Sequence, residues 1–320
     1  MRAVQHVAAG DPSYGEHDDP TPGPGEAVVR IETVATCPQW DLHIMNDEPM
    51  FVGHRFDFPY PVGQPGHEAA GVIVAVGEGV TELRPGMRVA AWRDAGQTRP
   101  GCYAELNAFD ADGLLPIPDE LSFREATSLE LAMCVQVSFD RLLAAGLIEG
   151  RRVAIAGLGP AGLVAVQMAG AYGASEVVAI EPNRARHALG TELGAVRVVG
   201  PDDPWSRNLR RDADEAFDIA VDCTGFKASI EFLMDRTRTA VSIFGVLRET
   251  ISYEPRHWSN LALIGYGSHN KAAARRALKL IASGTVRLEP LLTETMPLSE
   301  YRRGIELLRR REAIKVCFEP

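Results

Sequence analysis

The feature that most constrains this chain is a glycine-rich turn between an apolar run and a helical pattern. Residues 153–162 read V-A-I-A-G-L-G-P-A-G, so Gly157, Gly159 and Gly162 fit the spacing GxGxxG. The apolar run predicts a strand, and residues 161–172 predict a helix. In that context the first glycine allows a tight turn, the second admits a pyrophosphate, and the third lets the helix pack on the strand. The turn therefore predicts a dinucleotide-binding α/β domain, with the phosphates at the positive helix N-terminus.

An acidic residue at the end of the next predicted strand supports this prediction. Glu181 ends the run E-V-V-A-I-E, 19 positions after Gly162. A carboxylate there accepts hydrogen bonds from the ribose hydroxyls and repels a 2′-phosphate, which favours NAD over NADP. Arg184 and Arg186 follow closely, and they leave NADP open as the alternative cofactor.

The middle of the chain alternates between predicted strands and helices, whereas the first part is β-rich. Such alternation is typical of a parallel sheet wound by right-handed crossovers. The predicted strands are 153–156, 176–180, 217–221 and 240–244. Through about residue 118, short apolar runs separated by turns indicate a β-rich domain with little helix. A length of 320 residues is also typical of two domains.

Composition excludes several classes of function. The net charge is −10, and the arginines are dispersed, which is a poor match to a nucleic-acid-binding surface. No apolar run approaches the roughly 18 residues that a membrane helix needs. The N-terminus leads into acidic, proline-rich sequence and does not resemble a signal peptide, so we expect a cytoplasmic protein. The five cysteines are widely spaced without a CxxC pair, which argues against a disulfide framework and a four-cysteine zinc knuckle.

Several motifs spread along the chain occur together in one known family. They are P-G-P-G-E-A-V-V at 22–29, G-H-E-A-A-G-V-I at 66–73, G-C-Y-A-E at 101–105, the glycine turn, and K-V at 315–316. With these motifs the sequence resembles the medium-chain dehydrogenase/reductase family, in its zinc-dependent alcohol and polyol dehydrogenase branch.

The resemblance implies an α/β fold with a GroES-like β-rich catalytic domain and an inserted Rossmann domain with a parallel sheet. We therefore expect residues 1–123 to form the first part of the catalytic domain and 124–264 the Rossmann domain. Residues 265–320 would complete the catalytic domain. In this family the active site lies in the cleft between the two domains.

The resemblance also implies a catalytic zinc ion. Candidate ligands occur in the family's order at Cys37, His67, Glu68 and Glu130. Zinc favours a tetrahedral set of N, O and S ligands, and catalytic sites keep one position for water or substrate. Cys134, one helical turn after Glu130, is the alternative to that glutamate.

The segment after Cys37 departs from the family. The usual C-x-[ST]-D is replaced by C-P-Q-W-D-L-H, so Asp41 comes one residue late and the hydroxyl of the proton relay is missing. His43 is a candidate replacement base, because imidazole titrates near neutral pH; the alternative is a surface histidine. By resemblance, Asp41 and Lys315 support the metal ligands. We expect Trp40 to line and narrow the substrate pocket.

These observations predict an NAD(P)-dependent medium-chain alcohol dehydrogenase. It would transfer a hydride between NAD and a secondary alcohol, such as a polyol or sugar derivative, with one catalytic zinc per chain. A zinc-free, NADPH-dependent quinone or enoyl reductase is one alternative, and a non-catalytic dinucleotide sensor is another.

The remaining expectations concern partners and the family's second metal. Residues 93–100 stand where many relatives carry a four-cysteine lobe, and they contain no cysteine, so no structural zinc is expected. The expected partners are a small alcohol or carbonyl substrate and further copies of the chain. Residues 262–266 are the candidate edge strand for a homodimer or homotetramer. We expect no nucleic acid and no membrane as partners.

Overall fold

A computed structural model describes residues 1–51, 53–94 and 96–320. The strands are β1 (Arg2–Ala8), β2 (Asp11–Glu16), β3 (Glu26–Ala35), β4 (Glu68–Val76), β5 (Arg88–Ala91), β6 (Leu106–Asp110), β7 (Leu114–Pro116), β8 (Arg152–Ala156), β9 (Glu176–Ile180), β10 (Arg197–Val199), β11 (Phe217–Asp222), β12 (Thr237–Ile243), β13 (Ala262–Gly265), β14 (Leu292–Pro297) and β15 (Lys315–Glu319). The helices are α1 (Pro38–Asn46), α2 (Phe123–Ala126), α3 (Leu129–Ala144), α4 (Pro160–Ala171), α5 (His187–Glu192), α6 (Pro204–Asn208), α7 (Lys227–Met234), α8 (Pro255–Trp258), α9 (Lys271–Ala282) and α10 (Tyr301–Arg309). Within these ranges, no helix has the length and apolar character needed to cross a membrane.

The chain packs as two compact units. The first comprises Met1–Met133, Ala277–Ala282 and Arg287–Pro320, and the second comprises Cys134–Arg276 and Ser283–Val286. The division falls inside α3 and α9, and the domain limits expected at residues 123 and 264 stay a prediction.

The first unit is organised around a mixed sheet to which both ends of the chain contribute. The strand order is β14-β15-β3-β4-β5-β7, and β6 also pairs with β3. β14 and β15 are parallel, whereas the other pairs are antiparallel. The C-terminal β15 pairs with the end of β3 at Cys317 and Ala35. This β-rich unit, together with the second unit, confirms the predicted fold class.

Helix α1 is a feature of the β-rich part that the sequence did not predict. It follows β3 directly, with Pro38 in its first turn and Cys37 as its N-cap residue. Proline is favoured in the first turn of a helix because its fixed φ fits there and no N–H is needed. The expectation of little helix before residue 118 was therefore incomplete.

The second unit contains a six-stranded parallel sheet with the order β10-β9-β8-β11-β12-β13. The β8 residues Val153, Ala154 and Ile155 are fully buried, as expected for a strand covered by helices on both faces. Strand order reverses at β8, and in such sheets ligands bind beyond the carboxyl end of the strands at the reversal. The glycine turn follows β8 and therefore lies at this point.

Candidate active site

Three predicted metal ligands come together where β3 and β4 pair. Cys37 follows the end of β3, His67 directly precedes β4, and Glu68 is the first residue of β4. Because the two strands are antiparallel, Ala35 lies opposite Glu68. The ligand atoms of Cys37, His67 and Glu68 all lie within 4.8 Å of one another. Sheet pairing thus assembles a sulfur, a nitrogen and a carboxylate oxygen in one place.

His67 is oriented by the backbone beside it. Its Nδ1 lies 2.8 Å from the carbonyl oxygen of Pro65. A carbonyl only accepts, so Nδ1 carries the proton of that hydrogen bond and Nε2 is left to face the cluster. Nε2 lies 3.8 Å from Oε2 of Glu130, whose side chain is also nearly buried. Atoms that share a tetrahedral zinc ion at ~2.0–2.3 Å lie about 3.3–3.8 Å apart, so this spacing fits.

The electrostatics of the cluster favour a positive charge. Burial lowers the pKa of His67, but a hydrogen bond with Cys37 and the charges of Cys37, Glu130 and Glu68 together raise it well above its ordinary value. A divalent cation would balance the negative charge of the same thiol and carboxylate groups. Since S, N and O donors are what zinc prefers, the residues present fit a catalytic zinc ion.

Glu68 is held by a buried lysine. The ammonium of Lys315, at the start of β15, donates to both carboxylate oxygens of Glu68, at 2.7 and 2.8 Å. The same ammonium donates to the carbonyl oxygen of Thr36. The side chains of Lys315 and Glu68 are 0% and 1% exposed. The structure thus agrees with a supporting position for Lys315, and it shows that Glu68 has a strong partner besides any metal.

The glycine turn of the second unit has the backbone that its sequence predicts. Gly157 has a φ of +85°, a conformation that residues with a side chain rarely adopt. A Cβ on Gly162 would lie 1.7 Å from the carbonyl oxygen of Gly157, so only glycine allows this packing. A Cβ on Gly159 would have only Nη1 of Arg186 near it, at 4.0 Å. The turn is therefore open at Gly159, beside a guanidinium group.

Glu181 contacts the same turn. One carboxylate oxygen accepts the backbone N–H of Leu158 at 2.6 Å, and the other accepts that of Asn183 at 2.7 Å. The side chain is nearly buried, with 4% of the residue exposed. A carboxylate has about four acceptor positions, so ribose hydroxyls can still be bound beside these two donors.

Comparisons with known proteins identify the family of the chain. Family models match at residues 23–119, for the alcohol dehydrogenase GroES-like domain, and at 160–283, for zinc-binding dehydrogenase. Sorbitol dehydrogenase from Gallus gallus is 27% identical, covering 99% of this chain and 96% of the relative. An L-threonine 3-dehydrogenase from Anaeromyxobacter sp. is 27% identical, covering 100% and 99%. The structure of alcohol dehydrogenase TADH from Thermus sp. ATN1 matches with a TM-score of 0.87 at 25% identity, over 100% of both chains.

The chain belongs to the zinc-dependent medium-chain dehydrogenases. This confirms the resemblance, the enzyme class and the dependence on a nicotinamide cofactor and zinc. Where the chain departs from the pattern that the sequence led us to expect of this family, the structure shows what the altered residues contact instead.

Asp41 is the first departure. Its carboxylate accepts hydrogen bonds from the hydroxyls of Tyr103 and Tyr301, each at 2.9 Å. His67 Nδ1 donates to the carbonyl oxygen of Pro65, so a hydrogen bond from this nitrogen to Asp41 does not orient the ring. Burial raises the pKa of Asp41 to about 6, although both tyrosine hydrogen bonds and the charges of His67 and Lys315 act to lower it. Tyr103 lies in the family motif at 101–105, but neither tyrosine was predicted to contact Asp41, because each lies far along the chain from it.

His43 lies at the opposite end of α1 from Cys37. Its Nδ1 is 3.1 Å from the carbonyl oxygen of Glu48, just beyond the helix. His43 lies six positions after Cys37, which corresponds to a rise of ~9 Å along the helix axis. The structure therefore does not bring His43 to the metal cluster, and its role as a base stays a prediction.

Trp40 shares a face of α1 with Cys37, because residues three apart are neighbours on a helix. Its ring makes edge contacts with Phe51, His54 and Phe56, with centroid distances of 6.0, 5.6 and 6.4 Å. We call these four residues the aromatic cluster. The position where the family places a hydroxyl is thus followed by a bulky, half-buried indole.

Cys134, the alternative ligand to Glu130, has a partner within the second unit. Its Sγ lies 3.3 Å from Nε2 of His269, in the loop between β13 and α9. His269 carries no sequence signal that would have linked it to Cys134, from which it is 135 residues distant. This contact gives Cys134 a neighbour that the sequence did not predict.

Proposed function

We propose that this dehydrogenase oxidises a secondary alcohol with NAD, using one catalytic zinc ion per chain. The observation that carries the proposal is the buried convergence of Cys37 Sγ, His67 Nε2 and carboxylate oxygens at the junction of β3 and β4. Sorbitol dehydrogenase and L-threonine 3-dehydrogenase, the similar proteins, are both named for substrates with secondary hydroxyl groups.

We assign Cys37 and His67 as zinc ligands, with Glu130 and Glu68 as the carboxylates. Lys315 already donates to both oxygens of Glu68, which favours Glu130 as the more direct ligand. Bound there, zinc supplies a Lewis acid that lowers the pKa of a substrate hydroxyl, and NAD supplies the hydride acceptor. The Nδ1 hydrogen bond to Pro65 holds the His67 ring, and Lys315 balances the charge of Glu68.

The route of the substrate proton differs from the family pattern, because no hydroxyl occurs at Gln39 or Trp40. We keep His43 as the proposed base, acting through solvent. If so, His43→Asn should lower kcat by about 10²-fold while leaving the zinc content unchanged. An unchanged kcat would mean that the substrate proton passes to water without this histidine.

We propose NAD as the preferred cofactor, with Glu181 next to the ribose. The position of Glu181 against the turn at Leu158 supports this. Arg186, near Gly159, supports the alternative of NADP, since a guanidinium pairs well with a phosphate. Comparison of kcat/KM for NAD and NADP in the native protein and in Arg186→Ala distinguishes the two.

We propose that the chain holds no structural zinc. Relatives carry the four-cysteine lobe where this chain has a short segment, and side-chain hydrogen bonds hold that segment in place without a metal ligand. Arg99 donates to Asp110 at 2.8 Å and also to Glu26. Gln64 donates to the carbonyl oxygens of Gly96 and Arg99, at 3.0 and 2.9 Å. Ala95 lies outside the described residues.

We infer that the substrate carries an apolar group beside its hydroxyl, because Trp40, which follows Cys37 on α1, packs with the rest of the aromatic cluster. A polyol or sugar derivative is the second candidate, supported by the name of sorbitol dehydrogenase. The relative kcat/KM for 1-phenylethanol and sorbitol tests this choice. Trp40→Ala should lower the value for 1-phenylethanol more than the value for sorbitol.

We also propose a homodimer or homotetramer that pairs through β13. This strand lies at one edge of the six-stranded sheet, and an edge strand offers unpaired N–H and C=O groups to a second copy. Sedimentation analysis tests the oligomer, and a monomer would contradict it. The cytoplasmic location stays a prediction.

The function is tested by NADH formation on a panel of secondary alcohols, before and after zinc removal by a chelator. We expect activity that is lost with the metal and restored by added zinc. Chelator-insensitive, NADPH-dependent reduction of quinones or enones would instead support the zinc-free reductase. Cofactor binding without hydride transfer on the whole panel would support the sensor.

A further inference from the structure

Asp41 forms a buried cluster with two tyrosines, which lies beside the proposed metal site and has no part in the chemistry described above. Its carboxylate is 0% exposed. The Tyr103 hydroxyl donates to both Asp41 oxygens, and the Tyr301 hydroxyl donates to Oδ1. We call Asp41, Tyr103 and Tyr301 the tyrosine anchor.

The two donors are fixed by rigid parts of the first unit. Tyr103 precedes β6, and Tyr301 is the first residue of α10. Both rings are buried, and they pack on each other with a centroid distance of 4.8 Å. Nε2 of His6 lies 3.3 Å from the Tyr301 hydroxyl, so that oxygen has a partner besides Asp41. The anchor therefore connects α1 to β1, α10 and the segment before β6.

The anchor reaches Cys37 through the backbone of α1. The N–H of Asp41 donates to the carbonyl oxygen of Cys37 at 3.0 Å. Cys37 is the N-cap residue, and within the described residues its thiol makes no capping hydrogen bond. A thiol on the N-cap residue of a nine-residue helix is held on one side by the end of β3 and on the other side by that helix. Asp41, one turn further on, ties α1 to the core by hydrogen bonds, beside the buried apolar side chains of Ile44 and Met45.

We propose that Tyr103 and Tyr301 are positioning residues, which hold the Cys37 thiolate at the metal site through Asp41. The inference rests on the proposed metal site. It makes the expected support of the metal ligands by Asp41 an indirect one, because the carboxylate binds the tyrosines and His67 binds Pro65. Groups that orient a ligand from outside the coordination shell change metal affinity by about 10–100-fold.

The test is zinc affinity, measured by chelator competition on the full chain, together with the thiolate-to-cobalt absorption band of the Co²⁺-substituted protein. We expect Tyr103→Phe and Tyr301→Phe each to weaken zinc binding by about 10-fold, and the double variant by up to about 100-fold. The cobalt band should weaken or shift, because it reports the cobalt–sulfur contact itself.

Tyr60→Phe is the matched control. The Tyr60 hydroxyl is also buried, but it has no hydrogen-bond partner among the residues that the structure describes. This variant removes the same atom from a buried tyrosine of the same unit and should keep the native zinc affinity and cobalt band. Asp41→Asn, which keeps the shape and one acceptor oxygen, should weaken zinc binding less than the double tyrosine variant.

A purely structural anchor would give a different result. The variants would then unfold at lower temperature, but their folded form would bind zinc with native affinity and show the native cobalt band, which overturns the inference. If the double variant does not fold, the two single variants decide by the same criterion. Native protein that binds no zinc would refute the proposed function itself. The two refutations are distinguishable, because this one is seen in the native protein, whereas the inference about the tyrosines fails only in the variants.

Discussion

The glycine turn and the metal cluster show two ways of building a functional site. The turn is built from the backbone of adjacent residues, and it requires glycines without side chains. A Cβ on Gly162 would overlap the Gly157 carbonyl. The metal cluster uses side chains from distant positions, such as Glu68 and Lys315, which are 247 residues apart. The first site therefore depends on local backbone space, whereas the second depends on the sheet that brings its parts together.

The largest effect should come from removing the sulfur ligand. Cys37→Ala should lose bound zinc and lower kcat/KM by about 10³-fold, because Lewis-acid stabilisation is worth several kcal/mol. Zinc content by mass spectrometry and steady-state kinetics measure this. Cys102→Ala is the control, since this cysteine is buried beside Asn107 and is not among the predicted ligands. Retention of full activity and zinc by Cys37→Ala would refute its role. NAD affinity should not change in either variant.

The next effect concerns the charge balance of the cluster. Lys315→Met leaves Glu68 buried without its cation and should lower the free energy of unfolding by about 3–5 kcal/mol. The double variant Glu68→Gln/Lys315→Met should recover part of this loss, as measured by urea denaturation. Lys227→Met is the control, because its ion pair with Glu231, at 3.9 Å, is partly open to solvent and not buried. Additive losses in the double variant would contradict a coupled pair.

A third effect should appear as a dependence of stability on pH. Burial raises the pKa of Asp41 from 3.8 to about 6 in the folded protein. A raised pKa contributes stability at low pH that is lost as pH rises through about 6. Between about pH 4 and pH 7, the native protein should therefore lose about 3 kcal/mol relative to Asp41→Asn.

His6 makes the opposite contribution to the pH dependence of stability. Comparison of the native protein with Asp41→Asn cancels that contribution. Burial lowers the pKa of that histidine to about 4, so its contribution is present above its ordinary pKa of 6.5 and is lost as pH falls through about 4. His6 is present in both proteins. Parallel curves of unfolding free energy against pH would show that Asp41 does not titrate in this range.

The effect on the metal site should be smallest for a change at the turn. Gly162→Ala places a methyl group against the Gly157 carbonyl, which should cost about 3 kcal/mol or more and weaken NAD binding. Zinc content should stay native. Gly170→Ala lies on the same helix, where a Cβ meets nothing within 4 Å, so it should leave NAD affinity unchanged. Equal NAD affinity in Gly162→Ala and Gly170→Ala would show that the turn does not depend on local backbone space.

The same distinction explains what could be predicted from the sequence. The turn is local, so its glycine spacing and Glu181 predict the dinucleotide-binding fold directly. Cys37, His67 and Glu68 were predicted only through the family's motifs, because the pairing of β3 with β4 that unites them is not visible in local spacing. The structure places them together, which supports the resemblance at the level of individual residues.

Contacts between residues far apart in the chain could not be predicted from the sequence. Tyr301 is 260 residues from Asp41, and neither periodicity nor a motif connects the two. Helix α1 was missed because it is short and begins at a proline after a strand. That helix turns Asp41 into the core, and for this reason the family's role for the aspartate could not be transferred by its position in the sequence alone.

The most direct test of the assigned zinc site is zinc-edge X-ray absorption on the purified native protein. A site of Cys37, His67 and carboxylate predicts one zinc per chain with a single sulfur at about 2.3 Å and the other ligands, nitrogen or oxygen, at about 2.0–2.2 Å. Two sulfur ligands would place Cys134 in the site instead of a carboxylate. Protein that contains no zinc, and whose activity a chelator leaves unchanged, would contradict the assignment of a catalytic zinc ion.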